Sequence, residues 1–518
     1  MWKYRAQITR PANLGRKRLV HTYPVSCYLI YRRLLEPSRR SSTVKRQHYY
    51  WAIAERIGPM AVSFFVSILI ARIVGPAAYG LVAMLGIFMA LGQAFSELGL
   101  GSALVQRKDI TTDDETTCFI LNITAGATVT IILALASPFV ARFFNQPDLF
   151  PLLCVQSLNI FVASTSLVQF ALLTRQMKFH LGAIIELVAT TISGTIGVVM
   201  AYTGYGVWSL VALGLSREFS RAVLAWTVVG WRPHGRFSMV RLAVMWKYCS
   251  KLLYSSLLHR VAMNINTVVI GKIFPPAALG FYGRAAGLQA LPVGVVTGVI
   301  QRVTFPLFSL HQDNKVLLLE LIRKKNRLLV LIVSVMMGLL ALLASELVPW
   351  MLGPHWSGSV RLLEILCLAG VFSSAFPLHS EMIAALGESS IFFKVEVIKK
   401  AAIFVVLASV YHLGLEAFAW GAVIVSVFDY LLSSYPNRKL IGYSLKMQFF
   451  DLVPPLFLSV TVSVFLMNLP WVESYSPLAL MSLKFLSFAS LFLFGAFVFR
   501  RIFFRDAWEL FFSRGYGD

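Results

Sequence analysis

Between residues 50 and 499 the chain is a close succession of apolar runs, each of spanning length and each separated from the next by a short polar segment. Such a chain has few options. In hydrocarbon no water can satisfy the backbone, so runs of about 20 apolar residues must be helices, whose hydrogen bonds are internal. Fourteen runs can be placed, at residues 50–73, 80–103, 117–137, 150–172, 183–203, 207–229, 248–273, 279–301, 327–346, 360–385, 395–412, 417–434, 448–468 and 478–499. Only 14% of residues are charged, against about 25% in a soluble domain. The expected fold class is an all-α polytopic membrane protein with about 14 transmembrane helices.

One stretch occurs twice, 200 residues apart. Residues 70–80 read I-A-R-I-V-G-P-A-A-Y-G and residues 270–280 read I-G-K-I-F-P-P-A-A-L-G. Ile70, Ile73, Pro76, Ala77, Ala78 and Gly80 all recur, and Arg72 stands opposite Lys272. In each copy proline stops one helix and glycine lets the chain reverse into the next. Internal repeats of this kind mark transporters. We therefore expect two pseudo-symmetric six-helix lobes, 49–230 and 248–434, joined by a cytoplasmic loop at 231–247. Two accessory spans would occupy 435–499 and a cytoplasmic tail 500–518.

The net charge of +23 is a matter of topology rather than of nucleic-acid binding, because membrane proteins keep Lys and Arg in cytoplasmic loops. With the N-terminus inside, cytoplasmic segments collect roughly 33 Lys and Arg, and the outer loops keep Arg142 alone. Clusters such as Arg107-Lys108, Arg232/Arg236, Arg323-Lys324-Lys325 and Arg438-Lys439 all fall inside. Both termini are then cytoplasmic. Residues 1–48 hold many cations and one acid, Glu36, with no secretory signal peptide, and read as a basic cytoplasmic extension lying on anionic lipid. The five cysteines are scattered without a C-x-x-C, so neither a disulfide framework nor a metal site is implied.

Catalytic signatures are missing: there is no H-E-x-x-H, no G-x-S-x-G and no Walker loop, and no cofactor is expected. The informative residues are ionisable groups within the spans, each of which costs about 2.5–3.5 kcal/mol at the bilayer centre unless it faces protein or water. In span seven Lys251, Ser255, His259, Arg260, Met263, Asn264, Asn266 and Thr267 share one broad side, opposite Leu257, Val261, Ile265 and Val268. Span one adds Arg56 with Met60, Ser63 and Ser67, and span eight adds Arg284. A cation-lined cavity without catalytic groups points to transport of an anionic solute. The candidate cavity residues are thus Arg260, Arg284, Arg56, His259, Asn264, Asn266 and Lys251, and Glu186, Glu381 and Asp429 are candidate coupling carboxylates.

Structural explanations stand beside these. Arg56 could snorkel from the inner end. Arg72 and Lys272 suit the C-terminal dipoles of outer helix ends. Glu396 with Lys399-Lys400 reads as an interfacial pair cluster. The small residues Gly283, Gly287, Ala290, Gly294 and Gly298 of span eight read as a helix-packing seam.

The chain resembles the Wzx-type polysaccharide flippases, in the colanic-acid or teichuronic-acid exporter branch of the MATE-related (MOP) superfamily. The resemblance rests on L-I-A-R-I-V-G-P-A-A-Y-G-L-V-A-M (69–84), F-S-E-L-G-L-G-S-A-L-V-Q-R (95–107), L-L-T-R-Q-M-K-F (172–179), G-Y-G-V-W-S-L-V (204–211), N-T-V-V-I-G-K (266–272), L-G-F-Y-G-R-A (279–285) and M-L-G-P-H-W (351–356). It implies an inner-membrane protein that moves undecaprenyl-pyrophosphate-linked oligosaccharide to the periplasmic leaflet, with lipids, a polysaccharide polymerase and a chain-length regulator as partners. Glu97 stands where that family usually has aspartate. Two other readings remain open here: a multidrug or cation exporter of the same superfamily, and a membrane polysaccharide polymerase or ligase.

Overall fold

The computed structural model describes residues 58–107, 109–471 and 476–498. The basic extension 1–48, Arg56 and the tail 500–518 lie outside them. Every regular element among the described residues is helical. The first half comprises α1 (Gly58–Val74), α2 (Pro76–Glu97), α3 (Leu100–Gln106), α4 (Thr112–Phe144), α5 (Leu149–Ser164), α6 (Leu167–Arg175), α7 (Phe179–Tyr202) and α8 (Trp208–Val228). The second comprises α9 (Met239–Ile273), α10 (Pro276–Leu310), α11 (Lys315–Leu352), α12 (Gly358–Ala385), α13 (Ser389–Val410) and α14 (Leu415–Ser434). The short α15 (Asn437–Ile441), then α16 (Leu445–Met467) and α17 (Pro477–Val498), complete the chain. Among the described residues nine helices are long and apolar enough to cross a bilayer, or ten with α5 and α6 taken as one bent span. Charges explain two that fall short: Arg217, Glu218 and Arg221 interrupt α8, and Lys394, Glu396, Lys399 and Lys400 interrupt α13.

Local chemistry sets the helix ends. Gly75 takes φ +80° and Pro76 starts α2, where its missing N–H costs nothing. Thr111 and Asp114 form a capping box at α4. Asp114 also pairs with Arg107 at 3.3 Å and Arg241 at 3.0 Å. The same helix end docks the loop before α9. Backbone N–H groups of Gly235, Arg236 and Ser238 donate to Thr116, Asp113 and Thr117, and Trp231 Nε1 donates to Glu115. The basic loop is thereby fastened to the first half.

Two helices of the first half are broken. Between α2 and α3, Leu98 and Gly99 both adopt positive φ, +49° and +70°. Between α5 and α6 the axis turns by 41°. The carbonyls released there find partners, Ser164 O from Asn122 Nδ2 at 2.6 Å and Thr165 O from Trp226 Nε1 at 3.0 Å. Non-helical backbone at membrane depth is tolerated only where protein satisfies it in this way.

Lipid is as apolar as leucine, so helices in a bilayer associate through close packing and interhelical polar bonds. Both are present. Gly126 lets Ser164 approach so closely that a Cβ there would lie 2.6 Å from its Oγ. Ser459 and Ser463 of α16 donate to the carbonyls of Ser334 and Gly338 on α11. Asp451 of α16, fully buried, accepts from Arg323, Arg327 and Tyr443.

One expectation needs correcting. The glycines of α10 do not form a packing seam: a Cβ at Gly283, Gly287, Gly294 or Gly298 would meet nothing within 4 Å. Their face borders open space, where a small residue leaves room instead of admitting a neighbour. Lys399 does pair with Glu396, and it is buried against the protein, its Nζ 4.4 Å from the Phe376 ring centre.

Candidate functional site

The two copies of the repeat meet face to face. A Cβ on Gly80 would lie 1.7 Å from the Pro276 carbonyl oxygen, and one on Gly280 would lie 2.0 Å from that of Pro76. Each glycine is needed because the backbone of the other copy occupies the place of its side chain. Arg284 of α10 joins this contact, donating through Nη1 to Ser67 Oγ at 2.7 Å and through Nη2 to Ser67 O at 2.8 Å on α1. Its guanidinium lies 4.5 Å from the centre of the Tyr79 ring, a cation–π arrangement. Trp356, fully buried, donates Nε1 to Ala71 O at 2.9 Å and meets Tyr79 edge-on. One apolar cluster, including Met84, Phe144, Ile270, Leu279 and Leu363, runs through this end and unites both halves. Lys272 donates to Phe143 O, near the C-terminus of α4, so its cation does serve a helix end, that of a neighbour.

Arg260 belongs elsewhere. Its Nη1 lies 3.4 Å from Gln93 Oε1 and its Nη2 3.6 Å from Glu97 Oε2, at the far end of α2. From Tyr79 to Glu97 that helix advances about 27 Å, so Arg260 and Arg284 do not share a site. The Arg260 pair is loose and open, with the two side chains 27% and 41% exposed. Lys251 and His259 are exposed on the same helix, α9. Asn264 Nδ2 donates to Arg260 O at 2.8 Å, and its Oδ1 faces Gly86. Asn266 Oδ1 is buried with no hydrogen-bond partner. Arg56 lies outside the described residues.

The carboxylates divide. Glu186 is engaged by Arg217 and, at 3.4 Å, by Arg221, which ties α7 to α8. Glu381 Oε2 and Asp429 Oδ1 are buried without hydrogen-bond partners, on the adjacent helices α12 and α14. Among the described residues no cluster of His, Cys, Asp and Glu could hold a metal ion. Sequence reasoning missed Gln93 and Glu97 as the partners of Arg260. The available signal was position, since Glu97 immediately precedes the Leu98-Gly99 break. Beside this pair the two broken helices enclose a cavity of about 510 Å³, lined in part by Gln93, Glu97, Ser102, Gln106, Asn122 and Arg221.

Two sets of membrane helices, packed together at the Pro76/Pro276 contact and again where Met245 and Cys249 meet Leu100, Ala103 and Cys118, with a mixed polar and apolar cavity beside them, define a membrane-transporter scaffold. The fold matches that of the lipid II flippase MurJ in its inward closed conformation, with a TM-score of 0.70 and 13% identity over 88% of this chain and 99% of that one. Residues 69–361 match the family described as polysaccharide biosynthesis protein, and the chain belongs to it. It is similar to the lipopolysaccharide biosynthesis protein WzxC of Escherichia coli K12, 26% identical over 76% of this chain and 81% of that protein. It is likewise similar to the teichuronic acid biosynthesis protein TuaB of Bacillus subtilis 168, 22% identical over 72% and 78% of the two chains.

Proposed function

We propose that this protein is a flippase that carries undecaprenyl-pyrophosphate-linked oligosaccharide from the cytoplasmic to the periplasmic leaflet of a bacterial inner membrane. The observation that carries the reading is Arg260, an accessible and loosely paired guanidinium on the polar face of α9, within a fold and family of this kind. Guanidinium and ammonium groups suit pyrophosphate because they give charge-assisted hydrogen bonds in a site of reduced dielectric. A cation exporter would need uncompensated carboxylates in its cavity, whereas Glu97, the carboxylate in the wall of the cavity beside Arg260, faces that arginine. Halves 49–230 and 248–434 act as two lobes that rock against one another. Glu381 and Asp429 are the groups placed to carry a coupling proton, and the product passes to a polymerase and its chain-length regulator. Cells lacking the chain should lose the polymer and accumulate lipid-linked units. Purified protein in liposomes should expose a fluorescent undecaprenyl-pyrophosphoryl sugar to an impermeant quencher. Normal polymer with no accumulated lipid would reject the reading.

In this scheme the Pro76/Pro276 end faces the periplasm and both termini are cytoplasmic. A phosphatase reporter that works only in the periplasm should be active when fused after Gly353, beside Trp356, and inactive after Lys325 in the basic stretch of α11. The opposite pattern would reverse the orientation.

A further inference from the structure

We infer that the cavity between the two broken helices of the first half is a glycan subsite that receives the sugar next to the pyrophosphate; this rests on the flippase reading above. Its volume, about 510 Å³, lies within the range of small-molecule sites, about 300–1,000 Å³. Its wall suits a neutral ligand that carries hydroxyls on an apolar frame: Val105, Ile160, Leu167 and Phe170 supply apolar surface beside the polar groups. Gln93, Ser96, Ser102, Gln106 and Asn122 line it with uncharged donors and acceptors. Of its two charged side chains, Arg221 is balanced by Glu186 and Glu218, and Glu97 is a carboxylate. The cavity therefore offers no free positive charge to draw a phosphate inside.

A second observation points to a ligand. Asn122 is fully buried and lines the cavity. It spends Nδ2 on Ser164 O, while its Oδ1 has no hydrogen-bond partner. Such an acceptor, costly when left unmade, is suited to a sugar hydroxyl. The geometry also fits one molecule with two parts. Glu97 stands in the cavity wall and touches Arg260, so a pyrophosphate at Arg260 would direct its attached sugar into the cavity.

The test compares two probes, undecaprenyl pyrophosphate alone and the same lipid bearing one hexose, glucose or galactose, binding to the purified full-length protein. Ser102 and Gln106 are exposed, so Ser102→Leu and Gln106→Leu obstruct the cavity with little effect on helix packing. The unmodified protein should bind at least one hexose lipid about tenfold more tightly than the bare lipid, as a few added neutral hydrogen bonds allow. Each variant, with an unchanged melting profile, should lose that preference, whereas Arg260→Ala should weaken both probes. A preference retained in both variants, or absent from the unmodified protein for both sugars, would overturn the subsite and leave the flippase reading standing. Failure of the unmodified protein to bind either lipid would overturn the flippase reading, and the subsite with it.

Discussion

Gly80→Val is expected to abolish polymer export while the protein still reaches the membrane, and Gly280→Val should do the same. The new side chain has no place to go. Even its first carbon would lie 1.7 Å from the Pro276 carbonyl oxygen and 2.4 Å from the carbonyl carbon. Ordinary overpacking costs about 1–3 kcal/mol because side chains can yield. Here the obstacle is the backbone at the first residue of a helix, so the starts of α2 and α10 must separate. A bias of about 3 kcal/mol shifts a two-state equilibrium by roughly 150-fold, enough to keep this end open in most molecules. Alternating access requires it to close in every cycle. Gly80→Ala, which adds one carbon, should reduce export less than valine does. The check is export of the native polymer together with labelling of Gly287→Cys by an impermeant thiol reagent. Gly287 lies one turn beyond Arg284, where an added Cβ meets no atom. In a Gly80→Val background its labelling from the periplasm should rise several-fold over the Gly287→Cys chain alone. Unchanged labelling with normal export would show that this contact does not gate access to the open face of α10.

The same contact shows how much the sequence could convey. Fold class was legible because the demand for internal hydrogen bonding in lipid leaves helices as the solution for long apolar runs. The repeat was legible as identity between residues 70–80 and 270–280. That the copies pack on one another was not, because identity at a separation of 200 carries no contact information. The glycines of α10 mark a deeper ambiguity. Small residues at helical spacing serve either a close neighbour or an open face, and both need the same thing, the absence of a side chain. Gly80 and Gly280 serve the first purpose; Gly283 and Gly287 border open space. Pairing was equally hidden. Glu186 is a candidate coupling carboxylate or a paired one by sequence alone, and only the packing of α8 brings Arg217 and Arg221 to it. Arg284 and Arg260 looked alike on neighbouring spans, yet one is committed to Ser67 and Tyr79 and the other keeps an open, loose pair.

That difference makes Arg260 the decisive substitution. Arg260→Ala should reduce export of the native polymer at least about 100-fold with membrane abundance close to normal. A structural ion pair would behave otherwise. Removing one member of a buried pair leaves the other charged and desolvated, at a cost of about 3–5 kcal/mol, and abundance falls first. Glu97 is 41% exposed and 3.6 Å away, so water can solvate it once the arginine is gone. The expected loss is instead that of a charge-assisted contact to a dianionic headgroup, worth roughly 1.5–3 kcal/mol for each hydrogen bond to a charged group. Two such bonds account for the predicted loss. Arg260→Lys keeps the charge and loses the planar fork, so it should retain partial export, between the alanine variant and the unmodified protein. Glu97→Gln releases the arginine from its partner and should preserve headgroup binding. The measurement is polymer export normalised to membrane protein level, with binding of undecaprenyl pyrophosphate to each purified variant. Normal export by Arg260→Ala would remove this side chain from the site, and with it the main reason for assigning an anionic lipid as cargo.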